Sequence, residues 1–343
     1  MRSGFLIFIF FVFFFKTSFA DDHLKKHIGF SETFFGNEED YQVCYPKDHK
    51  NFFYSIFGFG ILATVLGAMI FVVKSRANKQ LKAKNLIIEE KNHDLIASIT
   101  YAKRIQNSIL PPKEIISALE KNLFVYYQPR DIVSGDFYWI HQTENILYAA
   151  VVDCTGHGVP GAFLSLIGHQ AINRAVNEDK LTSPTDILDR MNSYVKTSLQ
   201  QEKESALKDG MEVALFKLNT TNNTLEFAGA NLSLVLIQNN AVNVLKGNKC
   251  TVGSIQEHVT HAPITQSVQL SAGDAFYVFS DGFADQMGGK DGKKYKSVKL
   301  KETLLRIVNN SPQQQCKELN EEFISWKSNL EQVDDVCLMG YRV

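Results

Sequence analysis

The residues of this sequence best suited to chemistry are aspartates next to apolar, strand-like runs. Four of them lie where such a run begins or ends: Asp136, Asp153, Asp281 and Asp334. A carboxylate at the buried end of a strand is unfavourable unless a cation compensates its charge. Hard divalent cations such as Mg²⁺ and Mn²⁺ are held in proteins by several carboxylate oxygens. The four aspartates therefore predict metal-assisted chemistry at a site assembled from distant parts of the chain.

Each aspartate also has a simpler interpretation. An aspartate next to glycine at a strand end most often forms a turn. Four aspartates in similar contexts make that interpretation insufficient for the set, because turns alone do not require the same arrangement four times.

The elements that must position these residues are predicted from the periodicity. Alternating or apolar runs predict strands, and they are Leu123 to Tyr127, Phe137 to Ile140, Ile146 to Val152, Glu212 to Leu218, Thr224 to Phe227, Leu234 to Gln238, Ala241 to Leu245, Ser267 to Leu270, Ala275 to Ser280 and Val336 to Tyr341. Helical patterns are Pro160 to Asn177, Ser183 (as N-cap) to Gln201, Val298 to Asn309 and Pro312 to Trp326. Paired helices between blocks of antiparallel strands indicate an α+β fold of packed layers.

Two apolar segments precede this part. Phe5 to Phe15 and the small-residue site Ser18-Phe19-Ala20 are typical of a signal peptide over residues 1–20. Phe52 to Val73 has the length of a membrane-spanning helix, and a basic cluster from Lys74 to Lys84 follows it. Such a cluster marks the cytoplasmic side. We expect a short extracytoplasmic segment (21–51), one pass through the bacterial cytoplasmic membrane and a cytoplasmic C-terminal part.

The segment at 74–112 is charged and favours helix. A heptad of Leu81, Ile88, Leu95, Ala102 and Ile109 has Asn85, Asn92, Ile99 and Gln106 at its companion positions. Asparagine at a core position fixes the register of a paired coil. The segment predicts either a coiled-coil homodimer or a single amphipathic helix packed on the following domain, and Pro111-Pro112 ends it.

Composition narrows the classes of function. The 343 residues carry a formal net charge of -1, which gives no basic face for nucleic acid. The five cysteines include no CxxC pair, which argues against a zinc knuckle or a disulfide framework. Buried free thiols are expected for Cys154, Cys250, Cys316 and Cys337.

As a set, Ser134-Gly135-Asp136-Phe137, Asp153-Cys154-Thr155-Gly156-His157-Gly158, Ser280-Asp281-Gly282 and Asp334-Asp335 resemble the metal-dependent serine/threonine phosphatases of the 2C class. The closest likeness is to the SpoIIE-type bacterial branch, and it covers about Tyr101 to Val343. The resemblance implies a four-layer αββα sandwich at 113–343 with two Mn²⁺ or Mg²⁺ ions at one end of its two antiparallel sheets.

The resemblance also assigns roles to residues. It implies that Asp153 bridges both ions, with the backbone carbonyl of Cys154 helping one of them. Asp281 and Asp334 would complete the second ion, and Asp136 would act directly or through water. Asp285 would hold a third, weaker ion, whereas Asp335 would not be a ligand.

Hydrolysis of a phosphate monoester needs a nucleophilic water at neutral pH and neutralisation of phosphoryl charge, and two cations supply both. His157 would donate a proton to the leaving alkoxide or would only hydrogen-bond to shape the glycine turn. Arg130 would grip phosphate through two N–H groups or would only pair with Asp131.

The resemblance implies a substrate in signal transduction, a serine- or threonine-phosphorylated regulator like an anti-sigma antagonist. Two alternatives stay open: a non-catalytic module that docks a phosphoprotein, and a membrane-tethered nucleotide cyclase. The cyclase leaves the later aspartates unexplained.

Overall fold

The computed structural model describes residues 48–200, 209–254 and 263–343. The chain divides into two compact units, Met1–Leu81 and Lys82–Val343. The predicted signal peptide at 1–20, most of the segment at 21–51 and Cys44 lie outside the described residues.

The described part of the first unit is the beginning of α1 (Asp48–Ile109), which continues into the second unit. This helix is long and apolar enough to cross a membrane by length and composition, and none of its most apolar window is buried. Pro111 and Pro112 follow its end, as predicted from the helix-breaking geometry of proline.

The second unit contains two five-stranded antiparallel sheets and a two-stranded ribbon. The strands are β1 (Leu123–Gln128), β2 (Phe137–Gln142), β3 (Ile146–Cys154), β4 (Met211–Asn219), β5 (Thr224–Ala230), β6 (Leu234–Gln238), β7 (Ala241–Leu245), β8 (Gln266–Gln269), β9 (Ala275–Phe279), β10 (Met287–Gly288), β11 (Lys293–Lys294) and β12 (Val336–Arg342). One sheet has the order β1-β12-β9-β6-β7 and the other β2-β3-β4-β5-β8.

The helices of this unit follow α1 in chain order. They are α2 (Lys113–Leu119), α3 (Gly158–Asn173), α4 (Pro184–Ser198), α5 (Gly282–Asp285), α6 (Ser297–Ile307) and α7 (Pro312–Lys327), and α3 continues as a π-helical turn at Arg174–Glu178.

Three apolar clusters show how the layers stack. Side chains of β3 alternate: Ala149 and Val151 pack between the two sheets, whereas Ala150 and Val152 pack with Leu164 and Ile187 of α3 and α4. A third cluster lies between the first sheet and α6 and α7. Because successive strand residues point to opposite faces, each sheet buries both faces. The result is two antiparallel sheets face to face, with helices covering each outer side.

Most predicted elements are confirmed within one to four residues at their ends. Asn239 and Asn240 form the predicted tight turn between β6 and β7, and both have positive φ. Ser183 is the N-cap residue of α4, as predicted, although its side chain makes no capping hydrogen bond. Instead, the Oγ1 of Thr265 accepts a hydrogen bond from the backbone N–H of Thr185.

Candidate active site

Strand register brings the predicted aspartates to one end of the sandwich. Phe137 of β2 pairs with Val152 of β3, so Asp136 and Asp153 lie at adjacent strand ends. In the other sheet, Leu338 pairs with Phe279. The turn after β9 therefore lies beside the start of β12, and Asp334 lies two residues before that start.

Gly282 allows the turn after β9 to lie close to the segment before β12. A Cβ atom at Gly282 would lie 1.9 Å from the carbonyl oxygen of Asp335. Any larger residue would push the chain after Asp281 away from the Asp334-Asp335 segment. The glycine of the Asp281-Gly282 motif therefore permits the contact between the two loops.

Asp136 is the most deeply buried of the four. Its residue is 3% exposed, and its Oδ2 has no hydrogen-bond partner among the described residues. Desolvation first, and then the negative charge of Asp153, raise the pKa of Asp136 well above its ordinary value, whereas a hydrogen bond from Ser280 opposes the rise. A buried, unpartnered carboxylate oxygen is costly without a cation.

Asp153 and Asp281 are affected by the same neighbours. Burial, followed by the charges of Asp281 and Asp334, raises the pKa of Asp153 to about 8. Desolvation and then the charge of Asp334 raise the pKa of Asp281 to about 6. The four aspartates are thus close enough to repel one another, as the metal-site prediction requires.

The carboxylates converge without forming a finished coordination shell. Within the described ranges, no three His, Cys, Asp or Glu side chains are already grouped as ligands of one ion.

Cys154 is placed to act through its backbone. Burial raises the pKa of its thiol well above the ordinary value, so the side chain stays a neutral thiol. A Cβ atom at Gly135 would lie 3.2 Å from the Cys154 carbonyl oxygen and 2.5 Å from that of Gly156. The glycine of the Ser134-Gly135-Asp136 motif therefore lets two loops of the site touch.

Asp285 already has a cationic partner. Its Oδ2 lies 2.7 Å from the Nζ of Lys294 on β11. The Lys294 charge also opposes the rise in the pKa of Asp281. The third-ion role predicted for Asp285 therefore competes with an ammonium group of the same chain.

Asp335 fixes the loop that carries the first motif. Its Oδ1 accepts a hydrogen bond from the backbone N–H of Arg130 at 2.7 Å, and its Oδ2 accepts one from Gly135 at 2.8 Å. One buried carboxylate thus holds both ends of the segment 130–135. This explains a second aspartate beside Asp334 without making it a ligand.

The contacts of Arg130 and His157 differ from the simpler interpretations given above. The guanidinium of Arg130 donates to the carbonyl oxygen of Val333 at 2.9 Å and does not pair with Asp131. The Nδ1 of His157 lies 2.9 Å from the Oδ2 of Asp131. The ring therefore bonds to a carboxylate from another loop, and not to the glycine turn that follows it.

Two further residues of the site were not predicted. Glu212 of β4 pairs with Asp153 in the sheet, and its charge contributes to the raised pKa of both Asp153 and Asp281. Asn231 donates a hydrogen bond to its Oε1 at 3.0 Å. In the sequence, Glu212 is a lone acidic residue in an apolar strand. Only the register between β3 and β4 shows that it lies beside Asp153.

Gln106, near the end of α1, is joined to the first motif. Its residue is 4% exposed. Its Nε2 donates to the Ser134 carbonyl oxygen at 2.6 Å and to the Ser165 hydroxyl at 2.9 Å, and its Oε1 accepts from the Ser134 backbone N–H at 3.1 Å. The end of the heptad segment therefore packs against the first motif and α3. A domain boundary at Lys113 would leave this contact out.

Comparison with known proteins decides the family. The profile described as Stage II sporulation protein E (SpoIIE) matches residues 143–343. The chain belongs to the SpoIIE family. The match begins after Asp136, so the assignment of that residue depends on the geometry described above.

Solved structures agree with this membership. The SiaA-PP2C domain of Pseudomonas aeruginosa superposes with a TM-score of 0.67 at 28% identity, over 74% of this chain and 98% of that one. The PP2C phosphatase domain of SpoIIE from Bacillus subtilis, with part of its regulatory domain, gives a TM-score of 0.53 at 19% identity, over 64% and 61% of the two chains. Comparison with curated protein sequences gives no match.

The chain is therefore a PP2C-type serine/threonine phosphatase of the SpoIIE branch. Membership disfavours the nucleotide cyclase left open above. The expected two antiparallel sheets with helices are confirmed. The four cysteines in the described residues are free, as predicted, but only Cys154, Cys250 and Cys337 are buried, whereas Cys316 is partly exposed.

Proposed function

We propose that this protein is a membrane-anchored, metal-dependent phosphatase that removes phosphate from serine or threonine of a regulatory protein in signal transduction. The observation that carries the proposal is the buried Asp136, whose Oδ2 has no hydrogen-bond partner, among three further aspartates with no cationic side chain bound to them in the described residues. Such a cluster is suited to divalent cations and has little other structural use.

The donor set fits Mn²⁺ or Mg²⁺, since it consists of hard oxygen atoms. Asp153 would serve both ions, the Cys154 carbonyl one of them, and Asp281 and Asp334 the second, with Asp136 binding directly or through water. When bound, such cations provide an acidified water and neutralise charge on phosphate oxygens. No covalent protein nucleophile is required.

The chain's own residues would then orient the phosphate. Arg130 keeps further N–H groups beyond the one that bonds to Val333, and a guanidinium can grip two phosphate oxygens at once. The backbone bonds from Arg130 and Gly135 to Asp335 hold this segment in place. We assign Arg130 to phosphate binding and His157 to proton donation.

The description of one relative supports a substrate in regulation. One of the similar structures is described as that of a cell fate determinant of Bacillus subtilis. A phosphorylated regulator of the anti-sigma-antagonist kind would suit a phosphatase of this branch.

For the membrane topology, we propose that residues 52–73 cross the membrane once and that the basic residues after Val73 hold the catalytic unit in the cytoplasm. Protease added to intact cells should then spare the catalytic unit, and N-terminal sequencing should begin near Asp21. Digestion of the catalytic unit from outside would contradict the topology.

We also propose a homodimer through Leu81 to Ile109. Apolar positions along this segment, including Leu81, Ile88 and Leu95, are exposed in the single chain, whereas Gln106 is tied to Ser134. Replacing Asn85 and Asn92 with leucine should strengthen a paired coil and fix activity high or low. Crosslinking of the coil and turnover in membranes measure both effects. A monomeric segment, or a stronger dimer with unchanged activity, would make it a simple tether.

The phosphatase function is tested with the full chain in detergent micelles. It should hydrolyse p-nitrophenyl phosphate and a phosphoserine peptide with Mn²⁺ and lose both activities on chelation. Restoration by added Mn²⁺ distinguishes a required ion from damage by the chelator. A protein that binds the phosphopeptide without turnover would instead support the docking module.

A further inference from the structure

The pair formed by Asp131 and His157 is not explained by the metal ligands. It joins two loops of the site, the segment before Asp136 and the turn after Asp153. The distance from His157 Nδ1 to Asp131 Oδ2 is 2.9 Å, and the side chains of His157 and Asp131 are 49% and 44% exposed, respectively. The pair is therefore open to solvent and to a substrate.

The backbone around His157 leaves its ring available. His157 is the N-cap residue of α3, with φ -119° and ψ 172°, but its side chain makes no capping bond. The following Gly158 has a φ of 64°, and a Cβ atom there would lie 3.4 Å from the Asp131 carboxylate. The His157 ring therefore bonds to Asp131 on the neighbouring loop and does not cap α3.

Asp131 lies in a segment that is held firmly. The backbone N–H groups of Arg130 and Gly135 both bond to the buried Asp335 carboxylate. Asp131 directly follows the first of these anchors, so its position is fixed relative to Asp136. Because the backbone on both sides of Asp131 is anchored, its carboxylate can set the orientation of the His157 ring on the neighbouring loop.

A carboxylate acceptor at Nδ1 selects the form of the imidazole that carries a proton there, and it leaves Nε2 as the exchanging nitrogen. Among the described residues, Nε2 has no hydrogen-bond partner. We infer that Asp131 is a positioning residue that holds His157 so that its Nε2–H donates a proton to the leaving alkoxide of a phosphoserine or phosphothreonine.

In this step, a water oxygen forms a new bond to phosphorus while the bond from phosphorus to the serine Oγ breaks. The ring, protonated at both nitrogens, gives its Nε2 proton to Oγ and becomes neutral with its remaining proton on Nδ1. The attacking water loses one proton to solvent, and solvent then returns one proton to Nε2. The products are the serine hydroxyl and hydrogen phosphate. The inference rests on the proposed phosphatase function.

The test compares leaving groups in the full chain with Mn²⁺. Serine alkoxide leaves poorly without a proton, whereas p-nitrophenolate is stable as an anion. Because general acid catalysis contributes 100-fold or more, Asp131→Asn should lower kcat for a phosphoserine peptide about 100-fold and for p-nitrophenyl phosphate less than about threefold. Phenyl phosphate should lie between them.

His157→Gln should show the same dependence on the leaving group, and the double variant should lose little more than either single one. Asp131→Glu, which keeps the carboxylate, should recover part of the loss. Asp291→Asn is the matched control, because Asp291 is an exposed aspartate paired with Lys293 in another loop. Its profile should equal that of the unchanged protein.

Equal losses for all three substrates would overturn the inference, because a merely structural role affects them alike. A double variant with multiplied losses would also overturn it, since the two residues would then act separately. If the unchanged protein hydrolyses none of the substrates with Mn²⁺, the proposed function itself fails. The two failures are therefore distinguishable.

Discussion

The carboxylates at this end of the sandwich form two groups that differ in what compensates their charge. In the paired group, Asp131 contacts His157, Asp285 contacts Lys294, and Asp335 accepts two backbone hydrogen bonds. In the unpaired group, Asp136, Asp153, Asp281 and Asp334, no carboxylate forms an ion pair in the described residues, and Asp334 accepts one backbone hydrogen bond, from the N–H of Asp335.

The two groups show that aspartates at this end of the sandwich have two kinds of role, structural in the paired group and suited to chemistry in the unpaired group. The paired carboxylates fix loops or neighbouring side chains, so their folding contribution is complete without a cation. Within the unpaired group, burial first and neighbouring carboxylates second raise the pKa values of Asp136, Asp153 and Asp281. We therefore expect their ionised forms to destabilise the metal-free protein and to become favourable once cations bind.

The largest effect is expected for Asp153→Asn. Turnover with Mn²⁺ should fall on the order of 1000-fold, since loss of a shared cation ligand removes several kcal/mol of transition-state stabilisation. Without metal, the same variant should unfold at a higher temperature, because repulsion with Asp281 and Asp334 is relieved. Turnover and thermal unfolding measure the two effects, and Asp291→Asn should change neither. A variant less stable without metal would contradict the grouping.

Asp335→Ala should show the opposite signature. It leaves the backbone N–H groups of Arg130 and Gly135 without their acceptor in a buried site, at a cost of about 1–3 kcal/mol each. Denaturant unfolding without metal should show this loss. Asp335→Asn keeps one acceptor oxygen and should lose about half as much. Unchanged stability in the alanine variant would move Asp335 out of the paired group.

The metal-free protein should lose stability as pH rises. The folded pKa of Asp153 is about 8 and that of Asp281 about 6, against about 3.9 in the unfolded chain. The folded state therefore binds more protons between about pH 4 and pH 8, and the free energy of unfolding falls across that range. Asp153→Asn should flatten the upper part of the curve. A stability that rises over this window would show that the carboxylates do not interact.

The smallest effect is expected at the edge of the paired group. Lys294→Met frees the Asp285 carboxylate, so a weak additional Mn²⁺ should bind beside Asp281. Equilibrium dialysis counts the ions. Lys293→Met is the matched control, because Lys293 pairs with Asp291 and not with the site. An unchanged ion count in Lys294→Met would mean that Lys294 does not compete with a cation.

Much of this arrangement could be predicted from the sequence. Apolar periodicity located nearly all strands, and the aspartates at their ends indicated where the two sheets meet. Glu212 was missed because its proximity to Asp153 depends on strand register. Lys294 was missed because β10 and β11 have two residues each and no periodic pattern. The heptad pattern predicts that Gln106 faces a partner helix, but in the structure its side chain bonds to Ser134.

The most direct test of the central claim is to count Mn²⁺ ions bound to the full chain while following its turnover. We expect two ions per chain, with hydrolysis of a phosphoserine peptide appearing as they bind. We also expect that Asp153→Asn abolishes both signals and Asp335→Asn keeps the ions. Turnover that persists after exhaustive chelation, or full ion binding in Asp153→Asn, would contradict the claim.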